Sequence, residues 1–284
     1  MSASEEVPQQ ANTYIFNAES AAEMSRLTIQ DHLLTREMGS LLPDNVDPSK
    51  IDKVLDLACG PGEWALDLAY AYRHMEVVGI DLSEKMVNYA NSRKWPSATF
   101  RIMDIRQPLD FPDNTFDFVN ARLLFTFMPK ASWPNLLKEC MRITRPGGIV
   151  RLTESEFAIS NGAAFEKLQV MLAHSLYLTG QLFSPTGTQI GITPMLGSFL
   201  LKAGFQHIRH KSFAIDFSAD GDAHGSMYQN FQIGLLLSQP FLHKMNPIGE
   251  SELAELCNQA LKEMESDDFR GIWYCLSVWG NKPS

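Results

Sequence analysis

Apolar positions along this chain gather into short runs of strand length, separated by stretches in which they recur every three to four residues. Val54-Leu55-Asp56-Leu57, Val77-Val78-Gly79-Ile80, Phe116-Asp117-Phe118-Val119 and Ile149-Val150-Arg151-Leu152 are nearly continuous in apolar character, which predicts strands buried on both faces. Thr99 to Met103 predicts a further strand, His207 to Phe217 alternates as another, and Gly271 to Gly280 closes the chain as the last. Helical spacing appears in Leu27, Leu34, Met38 and Leu41, over about 63–73 and 133–143, and in Phe165, Leu168, Leu172 and Leu176. Further helices are predicted after Thr193-Pro194, over 224–239 and over 251–265. Ser20-x-x-Glu23 opens the first helix, Ser132 and Pro134 open the one at 133–143, and Gly204 stops the one after Pro194. Strands alternating with helices predict an α/β, doubly wound, Rossmann-like sheet.

The first strand runs into Asp56-Leu-Ala58-Cys-Gly60-Pro-Gly62 and then a helix. Gly60 and Gly62 can adopt positive φ and carry no side chain, so the backbone there can press against a ligand at the helix N-terminus. Such a loop alone also suits a dinucleotide. Asp56 at the strand end argues otherwise, because a pyrophosphate gains nothing from a second anion, whereas a ligand with ammonium and sulfonium groups does. Asp81 ends the second strand roughly 20 residues after Gly62, the spacing at which an acid meets ribose hydroxyls in related nucleotide folds. A helix N-cap is the alternative role for it.

On these motifs the chain resembles the class I S-adenosylmethionine-dependent methyltransferases, whose first motif has the form D-x-x-x-G-x-G. Phe100 to Ile105, Phe116 to Arg122 and Arg145-Pro-Gly-Gly148 to Leu152 extend the likeness, which is strong over roughly residues 50 to 155 and loose elsewhere. Within the class it looks like the small-molecule branch that includes the ubiquinone and menaquinone C-methyltransferases. The resemblance implies a seven-stranded sheet ending in an antiparallel pair, with an N-terminal helical cap and helical insertions over the active site. It implies S-adenosyl-L-methionine as cofactor, with S-adenosyl-L-homocysteine as product, held by Asp56, Ala58, Gly60, Gly62, Asp81, Leu82, Met86, Asp104, Ile105, Asn120 and Arg122. Tyr14 is expected across the methyl donor and Phe16 beside the acceptor, unless both rings only anchor the helix. Phe125, Phe127, Tyr177 and Gln181 are the other acceptor-binding candidates, with ordinary core packing as the alternative for the two phenylalanines.

Methyl transfer from a sulfonium needs alignment and exclusion of water more than a conspicuous catalytic group. Where the acceptor must lose a proton, His174 and Glu154 are the candidate bases, with His224 behind them. Glu154 and Glu156 leave the fifth strand at the ligand end and can equally cap the next helix.

Composition narrows the rest. The chain has 284 residues, is 45% hydrophobic and carries a net charge of −9, without the clustered Lys and Arg a polyanion requires. The N/D-P-P-Y signature of many nucleic-acid enzymes is replaced by Asn120-Ala-Arg-Leu, so no nucleic-acid partner is expected. Four cysteines without a C-x-x-C pair predict neither zinc nor a disulfide framework, and no metal is expected. The acidic N-terminus and the lack of a membrane-length apolar run predict a cytoplasmic protein, for which a homodimer is kept open. The expected organisation is an extension and cap over 1–48, a cofactor-binding core over 49–157, a substrate cover over 158–193, and the rest of the sheet over 194–284 with a helical insertion near 222–268. The expected reaction is in-line methyl transfer to oxygen or carbon, rather than nitrogen, of a small and largely apolar metabolite. A cyclase or isomerase that binds the cofactor without transferring methyl, a nicotinamide-dependent oxidoreductase, and a binding regulator are the alternatives.

Overall fold

The computed structural model describes Phe16 and residues 20–284; Tyr14 lies outside them. Four parallel pairings build the frame from β1 (Lys53–Leu57), β2 (Glu76–Asp81), β3 (Ala98–Ile102), β4 (Phe116–Arg122) and β5 (Thr144–Ser155) in the order β3-β2-β1-β4-β5. β8 (Gly271–Asn281) runs antiparallel beside β5, and β7 (Gln206–Asp216) pairs along its other side. An eighth strand, β6 (Ile159–Ser160), pairs with Ile272 and Gly271 of β8. Because β5 meets β8 from Asn281 back to Cys275, β6 continues the β5 edge after a one-residue slip in register. The sheet is thus the expected seven-stranded one with an interrupted fifth strand.

β1, the inner neighbour of both β2 and β4, is buried at four of its five positions, as a strand covered on both faces must be. On one face α2 (Glu63–Ala71) and α3 (Glu84–Ser92) enclose Trp64, Leu68, Val54, Val77 and Phe100. On the other, α4 (Trp133–Ile143) and α6 (Leu196–Ala203) bring Trp133, Leu136 and Leu200 against Val119 and Leu152.

A third cluster, around Leu34, Phe165, Phe217, Met227 and Met264, joins α1 (Ala21–Met38), α5 (Ala163–Leu178), α7 (His224–Met245) and α8 (Glu250–Met264) to the far end of the β7–β8 pair. α7 runs past Pro240, where the sequence pattern stops near 239; Phe241 packs on two apolar clusters and Leu242 is buried, so tertiary burial outweighs the missing N–H. Among the described residues no helix is long and apolar enough to cross a membrane, and no group of three His, Cys, Asp or Glu side chains is placed to hold a metal ion.

Candidate functional site

In the order β3-β2-β1-β4-β5 the succession of parallel strands changes side between β1 and β4, and open sheets of this kind bind ligands beyond the carboxyl ends of the strands at that point. Both strands end there in a residue forced into the left-handed region: Ala58 after β1 at φ 52° and Leu123 after β4 at φ 53°. A side chain at that geometry costs on the order of 1–2 kcal/mol, so the surroundings must hold it. Cys59 N–H bonds Ile80 C=O at 2.9 Å and Leu123 N–H bonds Thr153 C=O at 2.9 Å, which carries the sheet pairing past each turn. Ala58 and Leu123 both wall a cavity of about 360 Å³.

One end of this cavity is acidic. Asp81 closes β2, and its two oxygens accept from Gly60 N–H at 2.8 Å and Ser83 N–H at 2.9 Å, so the carboxylate is locked against the glycine loop. Asp56 is 3% exposed and accepts from the Asn120 amide at 2.7 Å. Burial pushes its carboxyl up to about 6, against the pull of Arg122 and the Asn120 hydrogen bond. Asn120 in turn accepts from Arg151 Nε at 2.8 Å, and burial lowers that guanidinium to about 9. Asp104 chelates Arg106 through contacts of 2.8–3.1 Å, and that ion pair holds its carboxyl below the usual range although burial opposes it. Leu82, Met86 and Ile105 complete this end. The α2 N-terminus, where a phosphate would sit, already carries Glu63, which receives Arg93 at 2.7 Å.

The other end is apolar, walled by Phe125, Phe157, Phe165, Phe231 and Trp273 with Phe16 and Phe127 also lining the cavity. Helix α1 closes the roof over its own chain. A Cβ placed on Gly60 would lie 3.5 Å from Leu27 Cδ1, so the cap rests on the glycine loop. Asp31, one turn further along α1, pairs with Arg122 at the end of β4 and accepts from Trp64 N–H at 3.2 Å. Thr28 bonds Glu63 at 3.1 Å beside it.

Seven residues expected at the ligand do not reach it. Gly62, at φ 80°, stands behind Pro61, and a Cβ there would meet the Phe100 ring at 2.6 Å; close packing on β3 rather than ligand contact requires the glycine. Asn120 is fully buried between Asp56 and Arg151, so it orients the acid from behind. Glu154 is 1% exposed and points beneath the wall, accepting from Leu124 N–H at 2.8 Å and Phe125 N–H at 3.4 Å. It therefore holds the turn after Leu123 and is no base at the cavity; burial raises its carboxyl to about 8.

His174 faces out of α5 toward Asn246, 3.4 Å away, and His224 bonds the Phe217 carbonyl at 3.0 Å, so neither meets a bound molecule in the cavity. Tyr177 lies on the surface under Gly187, whose added Cβ would stand 2.7 Å from the ring. Gln181 is buried, tying Thr126 C=O at 3.0 Å and Thr179 at 2.8 Å. Glu156 does line the cavity, but it accepts from Gly191 N–H, Thr193 N–H and Thr193 Oγ1 at 2.8–3.0 Å and so fastens the cover loop.

Asp31, Gln169, Asn230 and Trp273 also line the cavity, and no sequence motif marks them. Asp31 carried a signal: it falls on the stripe of Leu27, Leu34 and Met38, where an acid is out of place. For the others no local signal exists.

Residues 54–148 match a family model described as a methyltransferase domain. An uncharacterised methyltransferase of Synechocystis is 30% identical over 171 residues, covering 60% of this chain and 74% of that one. The demethylmenaquinone methyltransferase of Geobacillus kaustophilus is 32% identical over 135 residues, covering 46% of this chain and 56% of that one. The matches span about half the length of several such curated relatives, 41%, 56% and 44% of three of them. Among solved structures, a phosphoethanolamine N-methyltransferase of Haemonchus contortus shares the fold, with a TM-score of 0.51 at 17% identity over 94% of this chain and 58% of that one.

Proposed function

Since the chain belongs to the class I S-adenosylmethionine-dependent methyltransferases, we propose that it moves the methyl group of that cofactor to an oxygen or carbon of a small, largely apolar molecule by in-line displacement. The observation that carries this reading is Asp56: a carboxylate 3% exposed on the cavity wall, whose hydrogen-bond partner is a neutral amide. A buried charge without a counterion is costly, and a cationic ligand supplies one. Arg122, the cation whose charge bears most on Asp56, is already engaged by Asp31.

The residues fit the cofactor's parts in turn. Asp56 opposes its cationic end; Asp81, fixed by Gly60 and Ser83, presents its carboxylate to vicinal hydroxyls; Leu82, Met86 and Ile105 offer apolar surface to a base, with Asp104 at its edge. The cofactor brings an electrophilic methyl whose leaving group needs no acid. What remains for the chain is to orient and to exclude water. Orientation of this kind is worth roughly 7–11 kcal/mol at its upper end. Leu27 and the phenylalanine walls keep water from the space where the acceptor meets the methyl. The acceptor's proton, when it has one to lose, leaves without a side-chain base, since His174, His224 and Glu154 all point elsewhere.

The test is calorimetric binding of S-adenosylhomocysteine together with release of that product from S-adenosylmethionine across a panel of phenols, enols, carboxylic acids and amines. Turnover with an oxygen or carbon acceptor, lost in Asp81→Ala together with binding, is the expected result. Wild-type protein that fails to bind S-adenosylhomocysteine would overturn the reading.

A further inference from the structure

The apolar end of the cavity contains hydrogen-bonding groups for which the protein supplies no partner, and they arrive from three separate elements. Asn230 on α7 is 6% exposed and its Oδ1 accepts from Arg26 Nη1 at 3.3 Å. That bond fixes which way the amide faces: the oxygen is taken, and Nδ2 has no acceptor among the described residues. Arg26 is itself held by Glu23, fully buried, through two contacts of 2.7 Å, so the orientation of Asn230 is set by an ion pair behind it. Gln169 on α5 lines the same space with neither end of its amide bonded to a described residue. Ser155 Oγ, where β5 reaches the cavity, is buried without a partner. Leaving such groups unmatched is unfavourable, and a ligand that matches them recovers the loss.

The charged groups around this space tell the complementary story. Arg26 is paired with Glu23, Arg122 with Asp31 and Arg106 with Asp104, and Glu156 is engaged by three donors of the cover loop. Each is committed to the protein's own structure, so a charged acceptor would enter an aromatic chamber without a counterion.

We infer that the acceptor is an uncharged hydrophobe bearing neutral oxygen functions, hydroxyl or carbonyl, with one oxygen accepting from Asn230 Nδ2 and another gripped by the Gln169 amide. Carboxylates, phosphates and ammonium compounds are excluded by the same chamber. Asn230 and Gln169 are its specificity determinants, and the Arg26–Glu23 pair positions Asn230. The inference rests on the methyltransferase reading, since that reading makes the apolar end an acceptor site.

Equilibrium dialysis with three probes of one shape, naphthalene, 2-naphthol and 2-naphthoate, tests it with and without S-adenosylhomocysteine. For the wild-type protein, 2-naphthol is expected to bind about tenfold tighter than naphthalene, with 2-naphthoate weakest. Gln169→Leu, one atom shorter, and Asn230→Leu, close to isosteric, divide the two contacts: the substitution at whichever residue meets the single hydroxyl is expected to cut 2-naphthol affinity about five- to tenfold while naphthalene changes less than twofold. Gln169→Leu leaves Arg26 untouched, so it reads the hydrogen bond even if Asn230→Leu disturbs the ion pair. Equal affinities for the three probes, tightest binding of 2-naphthoate, or a 2-naphthol preference that survives both substitutions would each overturn the inference. Failure of S-adenosylhomocysteine to bind would instead overturn the methyltransferase reading; its binding without the oxygen preference overturns the inference alone.

Discussion

Asp31, on the cap helix, pairs with Arg122 at the carboxyl end of β4, joining two positions 91 residues apart across the mouth of the cavity. The same carboxylate takes Trp64 N–H at the start of α2, so one acid links cap, strand end and glycine-loop helix. Both partners are 11% exposed in their side chains, which removes much of the screening that makes surface pairs weak. Asp31→Ala should therefore leave a half-buried Arg122 competing with the cofactor for Asp56. The expected outcome is at least about tenfold weaker S-adenosylhomocysteine binding by calorimetry. Faster cleavage by protease within α1 should accompany it.

Cofactor affinity should track the ionisation of Asp56. With its carboxyl near 6, the group is mostly neutral at pH 5 and mostly charged at pH 7, so the ammonium group that S-adenosylhomocysteine shares with the cofactor gains its counterion as pH rises. Binding of S-adenosylhomocysteine should strengthen about tenfold between those two values. In Asp56→Asn most of that slope should vanish, and an unchanged slope in the variant would remove Asp56 from the ligand.

Glu154 makes a stability prediction with a definite sign. Its folded carboxyl lies near 8, above the 4.5 of the unfolded chain, so between those values the native state holds the proton that the unfolded state has lost. Stability then decreases as pH rises through that window. Glu154→Gln keeps an acceptor for Leu124 N–H and cannot ionise. Its melting temperature should equal the wild type's near pH 5 within a few degrees and exceed it by on the order of 5 °C near pH 8.5.

Gly62→Ala separates packing from ligand contact. The new Cβ would sit at φ 80° and 2.6 Å from the Phe100 ring, so a loss of about 2–4 kcal/mol in urea unfolding is expected. Any folded fraction should bind S-adenosylhomocysteine with near wild-type affinity, because Gly62 does not wall the cavity.

His174→Ala should leave turnover within about twofold of wild type. The ring is exposed and its contact, Asn246, lies at the end of α7. A loss of a hundredfold or more with unchanged melting temperature would restore it as a base.

The chain by itself determined the frame and the acidic end of the site. Nearly continuous apolar runs mark buried parallel strands; Gly60, Asp81 and Ile105 sit at fixed offsets from strand ends, and strand geometry carries those offsets directly into space. Even the rejection of His174 was legible, since a helix that turns Leu172 and Leu176 inward rotates residue 174 about 200° from Leu172. Only the tertiary structure decided which side of a wall each polar group faces. Ser155 and Glu156 meet the cavity while Glu154 lies beneath it; alternation separates 154 from 155 but not which of them faces the cavity, and Glu156 lies past the last β5–β8 pair, where alternation no longer applies. The apolar end draws on Arg26 and Asn230, 204 residues apart, and on helices whose helical spacing shows that they have an inner face but not what that face meets. Local sequence fixes backbone conformation and periodicity because those are short-range forces; the pairing of distant polar groups emerges when burial strips them of water and leaves each other as partners.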